Sequence, residues 1–317
     1  MRALVLGGLL AAACGPPLQQ ARLSNFAPPS DRELEAAERI ELRSCNPAWK
    51  WLLPGMGQIC LREPGEGAAT MTAFFAEVGA AVAVDQVGSS AQAPLFALQD
   101  VYLYGLTRPT LDQQLALRLP FVPPETTAEL LVAPFRGRVL ARPDVWLGIL
   151  LAAGLALTTE ALIGELPPNR FGDDPILFSH RLDPGLGYPL GGLTLAGTFE
   201  HVAVAEEALF RGYLQSGLAR ACGEGCGHAW ASVLFGIAHV PNVLTLQDAA
   251  ARERYLAVGV PFITLTGAYM GWVYRRSGYA LSTSVAIHFW YDFILGFGDF
   301  LLEPQRSPFL ARVTIPF

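Results

Sequence analysis

Apolar residues in this chain come in long blocks separated by shorter polar, Pro-rich stretches. Blocks near 68–88, 144–164, 187–217, 228–247, 255–274 and 279–302 each hold about 20 residues or more, enough for a helix to cross a bilayer. A seventh block, 92–107, is the weakest, because Gln99 and Asp100 interrupt it. Only helices or closed barrels satisfy the backbone in lipid, and these blocks are too long and too poorly alternating for barrel strands. The expected fold is therefore all-α, a polytopic integral membrane helical bundle of about 6–8 spans. The Pro and Arg residues of 108–143 predict extramembrane or interfacial chain. Pro167, Pro168, Pro175 and Pro184 forbid one continuous helix over 166–186.

The N-terminal part is organised differently. Met1-Arg2, an apolar run from Ala3 to Ala13 and then Cys14-Gly15 resemble a bacterial lipoprotein signal, too short to span a bilayer. Against this, Ala11 stands where such signals usually carry leucine, and an ordinary signal or a disordered apolar start remains the alternative. Residues 15–48 are polar and Pro-rich, with a charged stretch from Asp31 to Arg43 suited to a short amphipathic helix. Trp51 to Gln58 reads as a Gly/Pro turn at a membrane interface. The chain thus divides into a candidate signal (1–14), a polar N-terminal and interfacial segment (15–66), and N-terminal spans with their loops (67–186). A membrane core (187–303) and a C-terminal tail (304–317) follow.

Composition reinforces the membrane reading. Hydrophobic residues make up 52% and charged residues only 16% of 317, against about 25% charged in ordinary globular domains. Mean hydropathy is +0.34. The net charge of −6 comes with no basic stripe, so nucleic acid is not an expected partner. Membrane lipids are. The expected location is a membrane, specifically a bacterial inner membrane given the lipoprotein-like start. Arg220 and Arg275-Arg276 fall on one side, cytoplasmic by the positive-inside rule, whereas Arg252 and Arg254 fall on the other, so orientation is left open. Cys222-Gly-Glu-Gly-Cys226-Gly-His228 allows a metal or redox loop. The preferred reading is a Gly-rich turn with two ordinary thiols, since three ligands in so short a loop make a poor closed zinc site.

Ionisable groups at membrane depth are costly and point to function by default. Three clusters occur: Glu206-Glu207-Ala-Leu-Phe-Arg211, Phe235-Gly-Ile-Ala-His239, and His288-Phe-Trp-Tyr-Asp292. Glu207 and Arg211 stand four apart in the favourable acid-before-base order. Glu206 is rotated about 100° from that face. Arg211 can therefore neutralise Glu207 and leave Glu206 free, which is what a general base beside a structural ion pair requires. His288 and Asp292, also four apart, share a helix face, as metal ligands, as paired donors or as a histidine tied by its acid.

These motifs, in this order on separate apolar blocks, resemble those of the CAAX prenyl endopeptidase and bacteriocin-processing family of intramembrane proteases. The patterns are Glu-Glu-x-x-x-Arg, Phe-x-x-x-His and His-x-x-x-Asn/Asp, over about 187–303 of this chain. The resemblance implies an all-helical bundle around a polar cavity, cleaving peptide or protein substrates at the membrane. It further implies that Glu206 and His239 activate water, His288 and Asp292 stabilise the oxyanion, and Glu207 and Arg211 support them. Asp292 stands where the CAAX-processing members carry an amide, so it donates only when protonated and otherwise orients His288. No cofactor is expected on this reading. The alternative is zinc held by Glu206, His239, His288 and Asp292. Readings of another class are a transporter with a proton relay, which lacks an inverted repeat or paired broken helices to support it, and a non-catalytic scaffold or immunity factor, against which the retention of every motif position argues.

Overall fold

In the computed structural model, residues 32, 53–61, 63–86, 92–163, 169–178, 180–246 and 248–305 are described. The candidate lipoprotein signal with Cys14, and the tail beyond residue 305, lie outside them. Helices dominate in chain order: α1 Met56–Cys60, α2 Pro64–Gln86, α3 Gln92–Ala116, α4 Thr127–Leu131, α5 Gly137–Leu140 and α6 Pro143–Ile163. A two-residue hairpin follows, β1 Ile176–Leu177 against β2 His180–Arg181, antiparallel with Ile176 opposite Arg181. Then come α7 Pro184–Glu207, a π-helical stretch Ala208–Gln215 and α8 Ser216–Cys222. The chain continues through α9 Glu224–Ala238, a 3-10 turn Val240–Thr245, α10 Ala249–Arg254, a π-helical turn Tyr255–Gly259, α11 Val260–Arg276 and α12 Leu281–Leu302.

Three of these helical stretches are long and apolar enough to cross a membrane: Pro143–Leu162, Ala249–Arg276 and Leu281–Leu302. The burial pattern agrees. Large apolar side chains such as Leu147, Leu150 and Leu157 on α6, or Trp230 and Ile237 on α9, face outward. Glu207, Arg211, Gln215, His288 and Asp292 face inward. A soluble protein does the reverse, and so large an outward apolar surface suits lipid contact.

Local chemistry sets the helix limits. Asp183 caps α7, its carboxylate accepting from Leu186 N–H at 3.2 Å, and Pro184 sits in the first turn where no N–H is needed. The core helix therefore begins at 184, three residues before its expected start. One expectation needs a larger correction. The block 228–247 is not one span: α9 stops at His239, because Pro241 has no N–H to continue the ladder and its ring crowds the carbonyl four residues back. Residues 108–116, expected to be extramembrane or interfacial, are helical and extend α3 past Pro109. Close approach of α9 to α11 relies on Gly236, where a Cβ would strike the Thr264 side chain.

The polypeptide direction fixes the two ends of the bundle. Arg220 near the end of α8 donates to Gln114 Oε1 at 3.0 Å, and Glu224 pairs with Arg275 at 3.5 Å. The C-terminal ends of α3, α8 and α11 thus share one end with the start of α9. Leu302 and Pro304 carbonyls accept from Arg170 and Ile176 N–H, so the hairpin lies at the other end. Cys222 and Cys226 form a disulfide at the first end. This corrects the expected free thiols. His228 takes no part, its Nε2 lying 2.7 Å from the Ala268 carbonyl.

Candidate active site

The six residues singled out from the sequence converge inside the bundle. Glu206 and Glu207 end the regular part of α7, and the π-helical stretch carries Arg211. Such a widened turn is common where a helix builds a site. Arg211 Nε lies 3.1 Å from Glu207 Oε2, with both side chains fully buried. The guanidinium also stacks on Phe235, 4.6 Å from the ring centroid, an additional attraction for a desolvated cation. Phe235 in turn packs against His239 at 4.7 Å and edge-on to His288 at 6.0 Å. The phenylalanine of the second motif is therefore the apolar pillar on which three polar groups rest.

Glu206 is placed differently from its neighbour. Its side chain is 20% exposed, against 0% for Glu207. Oε2 lies 3.8 Å from His239 Nε2 and 3.9 Å from His288 Nε2, and accepts no hydrogen bond. Both separations exceed a hydrogen bond, and Oε2 itself is buried.

The two imidazoles are held by opposite means. His239, at the end of α9, points Nδ1 at the Phe235 carbonyl at 2.7 Å, which requires a proton on that nitrogen. Its neutral form then offers a bare Nε2 toward Glu206. Tyr255 donates to the His239 carbonyl at 3.1 Å and steadies the helix end. His288, fully buried on α12, has a carboxylate at each nitrogen: Glu207 Oε1 at 3.0 Å from Nδ1, and Asp292 Oδ2 at 3.4 Å from Nε2. Tyr291 stacks on its ring at 5.4 Å. Glu207 thus bonds more than the Arg211 the sequence paired it with.

Asp100 on α3 was not among the site residues singled out from the sequence. It is 4% exposed and within electrostatic range of Glu206, His288 and Asp292. Glu200, seven residues before Glu207 on α7, is also buried, and neither of its oxygens has a hydrogen-bond partner. The signal for both was an acid within an apolar block. For Asp100 that signal was taken only as weakening a span.

A metal set is the other chemistry these donors suggest. Among the described residues, the one group of three or more His, Cys, Asp or Glu ligand atoms that all lie within 4.8 Å of one another is Glu63, Glu66 and Asp112. Glu206, His239, His288 and Asp292 do not close into such a set: the two histidines flank Glu206 rather than converging with it. As arranged, these four fit a zinc ion poorly.

The described residues thus form mostly helices, three of them long and apolar enough to cross a membrane, with an acid–imidazole cluster buried between helices. Residues 191–294 match the family model for Rce1-like type II CAAX prenyl endopeptidases, which upholds the resemblance carried by the three motifs. No curated protein and no solved structure matches the chain.

Proposed function

We propose that the protein is an intramembrane endopeptidase that hydrolyses peptide bonds of membrane-associated substrates with a water activated by Glu206 and His239. The observation that carries this reading is the Glu206 carboxylate, whose Oε2 is buried without a hydrogen bond among the described residues and lies 3.8 Å from the acceptor nitrogen of His239. A water between them donates one hydrogen to each. As its oxygen adds to the scissile carbonyl carbon, one proton passes to Glu206 and the carbonyl π electrons move onto oxygen. His288 Nε2–H, held by Glu207 and Asp292, stabilises that oxyanion. Collapse of the tetrahedral intermediate breaks the C–N bond, and the Glu206 proton goes to the leaving amine. Water and peptide become an acid and an amine, with every proton accounted for.

On this reading Asp292 acts by orienting His288, a role open to an acid where CAAX-processing relatives carry an amide. The zinc-dependent alternative keeps the same residues but needs the histidines to close around a metal. The expected membrane is a bacterial inner membrane, and the bundle crosses it about 6–8 times. The test is a quenched-fluorescence peptide library incubated with the purified protein in detergent, before and after chelator treatment. Cleavage that survives chelation supports the glutamate mechanism. Cleavage lost to the chelator and restored by zinc supports the metalloprotease, and no cleavage of any peptide overturns the endopeptidase reading.

A further inference from the structure

The three described cysteines, Cys60, Cys222 and Cys226, are all disulfide-bonded, and all lie at one end of the bundle. Cys222, exposed at the end of α8, is joined to Cys226 in the first turn of α9, across the break at Gly223. Cys60 is the last residue of α1, which sits against the start of α2. There Gly55 and Gly67 pack so closely that a Cβ on either would strike the other's carbonyl oxygen. From the first turn of α2, Glu66 reaches Thr127 and Arg108. Further along α3, Gln114 accepts from Arg220 of α8. The start of α2 and the α8–α9 turn are therefore on the same side.

Compartment decides where disulfides persist. Closing one takes two electrons and two protons from a thiol pair and passes them to a disulfide oxidant. The periplasmic side of a bacterial inner membrane keeps such an oxidant, whereas the cytoplasm holds thiols reduced. An exposed Cys222 has no shelter from that reduction. Charge pulls the other way. The arginines of 118–142, with Arg220, Arg275 and Arg276, crowd the disulfide end, which the positive-inside rule favours for the cytoplasm. Arg170, Arg181, Arg252 and Arg254 at the opposite end narrow the margin. A charge bias is statistical, but an exposed disulfide among cytosolic thiols is a bond the compartment breaks. The disulfides outweigh the arginines.

We propose that the end of the bundle bearing Cys60, Cys222 and Cys226 faces the oxidising, extracytoplasmic side of the membrane and meets a disulfide oxidant there. The hairpin and α10 then face the cytoplasm, and α12 runs inward from Leu281 to Leu302. This orientation rests on the inner-membrane reading and not on peptide hydrolysis. For the endopeptidase reading it names the surface that an extracytoplasmic substrate meets first: residues 118–142 with the α8–α9 and α11–α12 turns.

The test uses the full chain in bacterial cells whose outer membrane is opened and whose inner membrane is intact. A membrane-impermeant phosphine reductant is followed by a membrane-impermeant maleimide of high mass. The wild type should then shift on a gel by two more additions than the Cys222→Ser/Cys226→Ser variant. The Arg181→Cys thiol, on the exposed hairpin at the opposite end, should react only after the inner membrane is lysed. In a host without its periplasmic disulfide oxidase, a membrane-permeant maleimide should find Cys222 and Cys226 as free thiols before any reductant is added. Labelling of Arg181→Cys in intact cells, with Cys222 and Cys226 silent until lysis, overturns the proposal. So does a Cys222–Cys226 pair that is already reduced in cells with their oxidase. If the orientation holds while the peptide library is never cleaved, the endopeptidase reading fails alone. If the library is cleaved and the labelling is reversed, the orientation fails alone.

Discussion

Two polar clusters lie along α3, and they are built for different ends. Near its C-terminal half, Arg108 sits among acids and is fully engaged. It pairs with Asp112 at 2.5 Å, donates to the Glu125 carbonyl at 2.5 Å and has Glu66 at 4.0 Å. Thr127 bonds Glu66 in the same cluster. Toward the other end, α3 faces Glu206, a carboxylate that is partly exposed and stands off from two imidazoles at 3.8 and 3.9 Å. The first cluster ties helices α2, α3 and α4 together with its cation in place. The second keeps a carboxylate oxygen apart from its neighbours, beyond hydrogen-bond reach of either imidazole. Acid content does not separate the two. Satisfaction does: a structural cluster closes its hydrogen bonds, whereas a reactive one leaves a gap.

That contrast can be broken most severely at Arg211. Removing its guanidinium strands Glu207 and takes the prop from Phe235, so Arg211→Ala should cost about 3–5 kcal/mol of stability along with activity, read by thermal melt and peptide cleavage. Should the variant melt like the wild type, the buried pair is not the scaffold described. Next in size is Asp292. Asp292→Ala should lower turnover about 10²–10³-fold, the usual cost of an oxyanion donor, because His288 loses the group that orients it, while Asp292→Asn, whose amide oxygen can still face Nε2–H, should keep much of it. An asparagine variant as inactive as alanine would show that the charge itself is needed, favouring a metal ligand or a charge-dependent hold on His288.

Arg108→Ala sharpens the comparison from the structural side. It should lower stability by about 2–3 kcal/mol, the loss of charged hydrogen bonds, with kcat per folded molecule unchanged. A changed kcat would mean that the two clusters communicate along α3. The smallest effect lies at α4. The backbone N–H of Thr126, foremost, and the Arg136 guanidinium hold the exposed Glu129 carboxyl below the ordinary glutamate range. A depressed folded value stabilises at pH above the unfolded value of about 4.3 and loses that contribution as pH falls through the folded one. Hydrogen exchange at Leu130 should therefore quicken below about pH 4, in wild type but not in Glu129→Gln.

Much of the active cluster was legible because its signal is local. Glu207 and Arg211 meet by helix periodicity, and the rotation of Glu206 away from them follows from the same 100° step. The end of α9 at Pro241 was legible too, but hydropathy alone carried the block on to 247. What sequence reasoning missed depends on packing between distant segments. The bond from His288 to Glu207 joins residues 81 apart in the chain. Asp100 approaches Glu206 only because α3 docks against α7 and the π-helical stretch, which no local period encodes. The disulfide of Cys222 and Cys226 was likewise masked by a choice between metal loop and idle turn, although four-residue spacing across a helix break brings the two sulfurs together.

The central claim is that adjacent glutamates divide the work, Glu206 acting on water and Glu207 holding the scaffold. It is tested most directly by assaying peptide cleavage and thermal melting of Glu206→Gln and Glu207→Gln side by side. Glu206→Gln should melt within error of the wild type and lose about 10²–10⁴-fold in turnover, the range for a positioned general base. Glu207→Gln should lose stability as well, because Arg211 and His288 are both left without their acid. A Glu206→Gln protein with wild-type turnover, beside a stable but inactive Glu207→Gln protein, would reverse the two roles and contradict the account.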